Sequence, residues 1–406
     1  MTRVAFVAPM FSPAASQMIE AAVSFPGARV SVVSQEPLSR LQPSLASRIH
    51  QHWQVADVTD AAQLEYAVRG LTAMHGLPHR CFGAYEQLQV PLALVRERLG
   101  IPGLSSESAR NFRDKARMKD VLRAGGIPVA RHRLIASRDD AIAFVAEVGF
   151  PIVIKPLAGA GAQATHRVSN PAALESALFT YRPSANAPML AEEFLRGTEH
   201  SIETVSIGGT AVWHSLTEYA PSPLDVLENS WMQWCVLLPR EIDDGKFDDI
   251  RAVAARALQM LGMDTGVSHC EWFRRVDGSV AISEIGARPP GAQITTMVSR
   301  AHDIDFVAAW MELMIAGTFT APTRQYAVGT AYLRGQGRGV VREVGGLDIV
   351  HRELGALVCD AQIPVAGQTP TGSYEGEGFI MVRHPETDVV RQALARIVSV
   401  VRVRLA

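Results

Sequence analysis

Residues 271–284 read EWFRRVDGSVAISE, two β-favouring runs on either side of an Asp277-Gly278 turn signal. A two-residue loop at that dipeptide sets the register, so that Val276 faces Ser279, Phe273 faces Ile282 and Glu271 faces Glu284. Directly opposed side chains stand about 5 Å apart at Cβ, and like charges there destabilise a sheet unless something neutralises them. A hard divalent cation that takes oxygen ligands and brings phosphate with it does so. The pair therefore marks a Mg²⁺ site, with Mn²⁺ as a substitute. On an exposed hairpin the same glutamates would instead meet Arg274, Arg275 or solvent.

Outward from this hairpin the chain reads as α/β. Segments RVAFVAP and ARVSVVS at the N-terminus alternate with helical stretches, the pattern of a parallel sheet covered on its faces. A helix follows over SARNFRDKARMKDVLRAGG, closed by Gly125-Gly126 and Pro128. FPIVIKP is a short buried strand running into the loop LAGAGAQA, and PMLAEEFL is another strand. EHSIETVSIGG and TAVWHSL continue an antiparallel sheet towards the hairpin. From about Val328, GTAYLRGQGRGVVREVGG and GALVCDAQIPVAGQ suggest a small β-rich domain capped by the helix PETDVVRQALARIVSVVRV. The expected units are residues 1–110, 111–188, 189–327 and 328–406.

Composition sets limits. A chain of 406 residues with 48% hydrophobic and 20% charged residues is long enough for two to four domains. A net charge of −2 offers no basic footprint for nucleic acid. Cys81, Cys235, Cys270 and Cys359 share no short metal-ligand spacing, which suits a reducing compartment. No run of eighteen apolar residues suggests a membrane span, and the N-terminus reads as a first strand rather than a signal peptide. A cytoplasmic location is expected.

Lys155 ends an apolar strand just before Gly159 and Gly161, so a cation and permissive backbone converge where phosphate oxygens could lie. The order is not that of a Walker loop, in which the lysine follows the glycines and opens a helix. Lys115, on the preceding helix, could reach the same phosphates, although a lysine on an amphipathic helix is more often solvated. Glu192 and Glu193 close the PMLA strand. With Phe194 and Leu195 they could offer backbone groups to adenine, and Glu199 could bond ribose hydroxyls.

Taken in order, Asp114-Lys115, IVIKP, GAGAQA, EEFLRGTEHSIE, the glutamate in HCEWF, and EIGARPPG resemble the ATP-grasp superfamily over roughly residues 80–330. That resemblance implies an N-terminal parallel α/β domain, a two-lobed ATP-binding region built on antiparallel sheets, and a small C-terminal β-rich domain. It implies that Lys115 and Lys155, with the Gly159–Gly161 loop, bind the phosphates of ATP. Glu192 with the Leu195 backbone would hold adenine, Glu199 the ribose, and Glu271 and Glu284 the Mg²⁺. Arg288 resembles the arginine that, in carboxylate–amine ligases of the family, steadies an acyl phosphate and the tetrahedral intermediate that follows. One departure is Gly286, where family members commonly carry an asparagine ligand to the metal. A water or a bidentate carboxylate would fill that position, since His269, which the register places opposite Gly286, is a poor ligand for Mg²⁺.

The whole pattern is most similar to L-amino acid ligases. The expected partners are a small-molecule carboxylate and an amine, without nucleic acid or membrane, and a homodimer is compatible with the sequence. Trp213, Trp231 and Trp234 fall close together; lining a pocket, Trp231, Met232 and Trp234 would favour a hydrophobic amino acid, although such residues more often build core. A biotin-carboxylase-like or purine-biosynthesis-like ATP-grasp enzyme, or a non-catalytic nucleotide binder, remains open. GQGRG at 335–339 lacks the strand–helix context of a nucleotide motif and reads as a tight turn.

Overall fold

A computed structural model describes residues 1–72, 76–158 and 165–406. At the N-terminus four parallel strands lie in the order Gln51–Gln54, Ala28–Ser34, Thr2–Ala8, Arg80–Phe82. Val4, Phe6 and Ala8 pack into one apolar cluster, while Ala5 and Val7 pack into another. Both faces of the strand are covered, which is why it reads as a continuous apolar run instead of an alternation.

The helix expected after Ser108 is two helices, Ser106–Arg113 and Lys115–Ala124. Asp114 separates them, its side chain accepting from the backbone N–H groups of Ala116 and Arg117 at 3.0 Å each. Aspartate competes well for such free amides at a helix start, so the chain breaks and restarts there. The break makes Lys115 the first residue of the second helix, with Lys119 one turn on along the same face.

Next comes a four-stranded antiparallel sheet in the order His132–Ile135, Met189–Glu193, Ile152–Lys155, His166–Val168. Beyond it an eight-stranded antiparallel sheet runs Val280–Gly286, Gly266–Arg275, Gly197–Ile207, Thr210–Ala220, Cys235–Leu238, Ala327–Leu333, Gly378–His384, Val358–Gln362. Its last three strands come from the C-terminal segment, so the sheet begun by the hairpin continues across residue 328. The strand Ala327–Leu333 pairs directly with Cys235–Leu238. What stands apart is a three-stranded sheet of Gly335–Gly337, Arg402–Leu405 and Val341–Gly345. GQGRG thus opens as a short strand, parallel to Arg402–Leu405, and not as a tight turn.

The hairpin reaches its expected pairing by an unexpected route. Its loop has three residues, 276–278: Arg275 N–H donates to the Ser279 carbonyl at 2.8 Å, and Gly278, at φ +85°, donates to the Arg275 carbonyl at 2.9 Å. That shifts the ladder by one, so Phe273 faces Ala281 and not Ile282, while Val276 sits exposed in the loop. A β-bulge at Ser283 then shifts it back, restoring Glu271 opposite Glu284 and His269 opposite Gly286. Bulges commonly re-aim side chains beside functional sites. Here the bulged Ser283 carbonyl accepts from Lys119 Nζ at 2.7 Å.

Among the described residues no helix is long and apolar enough to cross a membrane.

Candidate active site

A cleft opens between the four-stranded sheet and the hairpin edge of the eight-stranded sheet, lined on one side by Lys155, Glu192 and Leu195 and on the other by Glu271, Glu284 and Arg288. Strand ends and one helix start deliver these groups. Lys155 is the last residue of its strand, and Lys115 enters from the helix that Asp114 caps.

Three ammonium groups organise the floor. Lys115 Nζ donates to Glu284 Oε1 at 2.6 Å. Lys119 Nζ and Lys155 Nζ share the carboxylate of Glu192, at 3.2 and 3.0 Å. All three lysines and Glu192 are buried, where an uncompensated charge would cost several kcal/mol. Burial pushes the Glu192 carboxyl up, but the charges and hydrogen bonds of the two lysines outweigh it and hold it at about 2. Burial likewise lowers Lys155, and Glu192 and Glu284 reverse the direction, leaving it above the ordinary lysine value. For Lys119 burial prevails and lowers it. With Glu192 ionised and both lysines charged, the trio keeps one net positive charge, suited to a phosphate.

Opposite lies the carboxylate pair. Glu271 is held below the usual carboxylate range: burial opposes the charge, but the hydrogen bond and charge of His269, then Lys155 and Lys115, override it. Behind it stands a relay. His269 Nδ1 lies 2.9 Å from Glu203 Oε1, and its Nε2 lies 3.6 Å from Glu271 Oε1. Glu203 is fully buried and accepts from Ser201 Oγ at 2.7 Å and Thr217 Oγ1 at 3.1 Å. Burial works against an imidazolium, yet the two carboxylates lift His269 to about 9. Glu199 differs: burial, followed by the neighbouring Glu271 charge, pushes its carboxyl well above the usual range. A carboxyl group at this place can accept from hydroxyls.

The donor set fits a hard divalent cation. Glu271 and Glu284 are paired across the ladder, and a lysine ammonium already stands on Glu284 as a surrogate cation. Among the described residues no third His, Cys, Asp or Glu joins them in metal-holding geometry. The remaining ligands would come from phosphate and water, which is how Mg²⁺ is usually held.

Of the residues singled out in the sequence, Lys115, Lys155, Glu192, Leu195, Glu199, Glu271, Glu284 and Arg288 all line this one cleft. Gly159 and Gly161 lie outside the described residues. Glu192 sits differently from the expectation that it holds adenine. Its carboxylate is occupied by two lysines and its backbone is paired in the ladder on both sides, while Phe194 and Leu195, just past the strand end, line the cleft beside it. The tryptophans also differ: Trp213 and Trp234 are buried core, and Trp231 is 66% exposed. Arg288 donates from Nε to Glu86 Oε2 at 2.7 Å, an N-terminal carboxylate 202 residues away in sequence.

Lys119, Glu203, Glu86 and Tyr374 escaped the sequence reading. Lys119 had a signal, its spacing of four from Lys115. The other three join through tertiary pairing that no local pattern announces.

The sequence pattern of the ATP-grasp domain matches residues 120–302, the span holding every cleft-lining residue named above except Lys115 and Tyr374. Residues 120–302 thus carry an ATP-grasp domain. It is 24% identical over 365 residues to an uncharacterized protein of Sinorhizobium fredii, covering 87% of this chain and 69% of that one. With an L-arginine-specific L-amino acid ligase of Bacillus subtilis it shares 24% identity over 280 residues, 66% of each protein. The crystal structure of an L-amino acid ligase from Bacillus licheniformis matches 100% of this chain and 99% of that one, with a TM-score of 0.80 and 19% identity. An N5-carboxyaminoimidazole ribonucleotide synthetase from Thermotoga maritima matches with a TM-score of 0.70 and 17% identity, covering 100% of both chains. At these identities the two structures establish likeness of fold.

Proposed function

We propose that this protein is an ATP-dependent ligase that joins a small carboxylic acid to an amine, releasing ADP and phosphate, with amino acids as the substrates. The observation that carries the reading is the Glu271–Glu284 pair held opposite the lysine-lined wall, with Arg288 beside it. In this reading Lys115 and Lys155 bind the phosphates of ATP, and Phe194 with Leu195 flanks the adenine. Glu199 takes the ribose, and Glu271 and Glu284 hold Mg²⁺, which when bound neutralises charge developing on the phosphates.

The chain's own groups need no nucleophile. Their work is positioning and charge compensation. Lys155 stays protonated, because its carboxylate neighbours hold it above the ordinary value. His269, charged and anchored on Glu203, fixes the orientation of Glu271. Arg288, steered by Glu86 through Nε and by the Pro289 carbonyl through Nη1, keeps Nη2, which would stabilise an acyl phosphate and then the tetrahedral oxyanion that forms when an amine attacks. The sequence similarity to the L-arginine-specific L-amino acid ligase of Bacillus subtilis supports amino acids over bicarbonate as the carboxyl substrate.

The test is ADP and phosphate release across all pairs of the common L-amino acids, with mass spectrometry of products. Pair-dependent release with a condensed product is expected. Release driven by bicarbonate alone, or none with any acid, would overturn the reading.

A further inference from the structure

Tyr374 belongs to the C-terminal segment, far from the family's domain in sequence, yet it lines the cleft together with Glu271 and Arg288. It does not hang there loosely. Its ring meets the Trp234 ring edge-on at 4.6 Å, and Trp234, 1% exposed, is stacked on Tyr332 at 4.8 Å. The tryptophan that the sequence put forward for an apolar pocket is instead the base on which a tyrosine stands.

The loop carrying Tyr374 is clipped at both ends. Glu377, buried, accepts from Gly335 N–H at 2.5 Å, and its carbonyl accepts from Gln368 Nε2 at 2.8 Å. Thr371 Oγ1 donates to the Gly376 carbonyl at 2.9 Å. Gly376 has φ +63°, and a Cβ there would fall 2.7 Å from the Leu333 carbonyl, so glycine is required for the loop to pass so close to the strand. A loop held by that many contacts, with its tyrosine ring seated on Trp234, presents a wall.

Among the described residues the Tyr374 hydroxyl makes no hydrogen bond. Burial, reinforced by the Glu375 and Glu271 carboxylates, raises it above the ordinary phenol value. It therefore remains a proton donor facing the cleft at the metal-pair end.

We propose that Tyr374 is the specificity-determining residue of the site: its ring closes the substrate end of the cleft and limits the side chain of the bound amino acid or other small carboxylic acid. The assignment rests on the ligase reading for the identity of that substrate. Small side chains fit against the ring, and larger ones collide with it. The phenol hydroxyl supplies one donor to a polar group of the substrate.

The test compares wild type with Tyr374→Ala and Tyr374→Phe, first checked for unchanged melting temperature. Binding of a panel of amino acids and short carboxylic acids is measured by calorimetry with Mg²⁺–ADP present, and turnover is measured in parallel. Tyr374→Ala is expected to shift preference from small towards bulky side chains by about tenfold or more, the scale on which apolar pockets discriminate size, with ADP affinity unchanged. Tyr374→Phe should keep the size preference while weakening binding overall. An unaltered size profile in a folded Tyr374→Ala protein, or a change confined to ADP affinity, overturns the assignment. Binding that shifts as expected without any turnover supports Tyr374 while contradicting the ligase reading. If no acid binds to either protein, both fall.

Discussion

Lys155 Nζ stands 3.0 Å from Glu192 Oε2 across neighbouring strands, and the partner of that lysine is itself shared with Lys119. One carboxylate thus compensates two buried ammonium groups. Replacing it by an isosteric amide leaves both uncompensated. Glu192→Gln is expected to destabilise the protein by about 3–5 kcal/mol, read from urea unfolding at neutral pH; a loss near zero would mean the lysines are not charged as described.

The same carboxylate makes stability depend on acid. Its folded value is about 2 against an ordinary 4.5, so its contribution is present above the ordinary value and is lost as pH falls from there towards the folded one. Thermal unfolding between pH 5 and 3 should therefore fall more steeply for wild type than for Glu192→Gln. Parallel curves would contradict the assignment.

Glu284→Ala removes half of the opposed pair and the partner of Lys115. Turnover should drop by at least about a hundredfold, the scale of a lost metal contribution, and nucleotide binding should lose its dependence on Mg²⁺ in calorimetry. Full retained activity would remove the metal reading.

Arg288 poses a choice between chemistry and architecture, because it also bonds Glu86. Arg288→Ala should leave nucleotide affinity within about threefold while amide formation falls by about 10²–10³-fold, as for a lost oxyanion donor. Equal loss of both would make the Arg288–Glu86 contact a structural clip.

Glu203→Ala strips His269, Ser201 and Thr217 of a fully buried acceptor. A loss of about 3–5 kcal/mol in denaturant unfolding is expected, together with weaker Mg²⁺ dependence as Glu271 loses its orientation.

How legible this site was depended on the range of the interaction. The Glu271–Glu284 facing was readable, but through two offsetting errors: a three-residue loop displaces the ladder and the Ser283 bulge restores it. Strand propensity reports neither a bulge nor its purpose, and this bulge exists where Lys119 claims a carbonyl. The break at Asp114 was readable in principle, since aspartate favours a helix start; an uninterrupted helical pattern obscured it. Lys155 and the strand before it were clear, being local. Glu86, which bonds Arg288, and Tyr374, which lines the cleft, were not, because each comes from an element distant in sequence. The continuity of the C-terminal strands with the central sheet was hidden for the same reason: pairing between Cys235–Leu238 and Ala327–Leu333 spans about ninety residues.

The central claim is that the substrate carboxylate is activated by phosphate transfer within this cleft. An acid found to support turnover is supplied with oxygen-18 in its carboxyl group, and the released phosphate is analysed by mass spectrometry. Attack of the carboxylate on the terminal phosphate of ATP, followed by amine displacement, predicts one labelled oxygen in each phosphate. Phosphate without label would show that ATP is hydrolysed by water and would contradict the account.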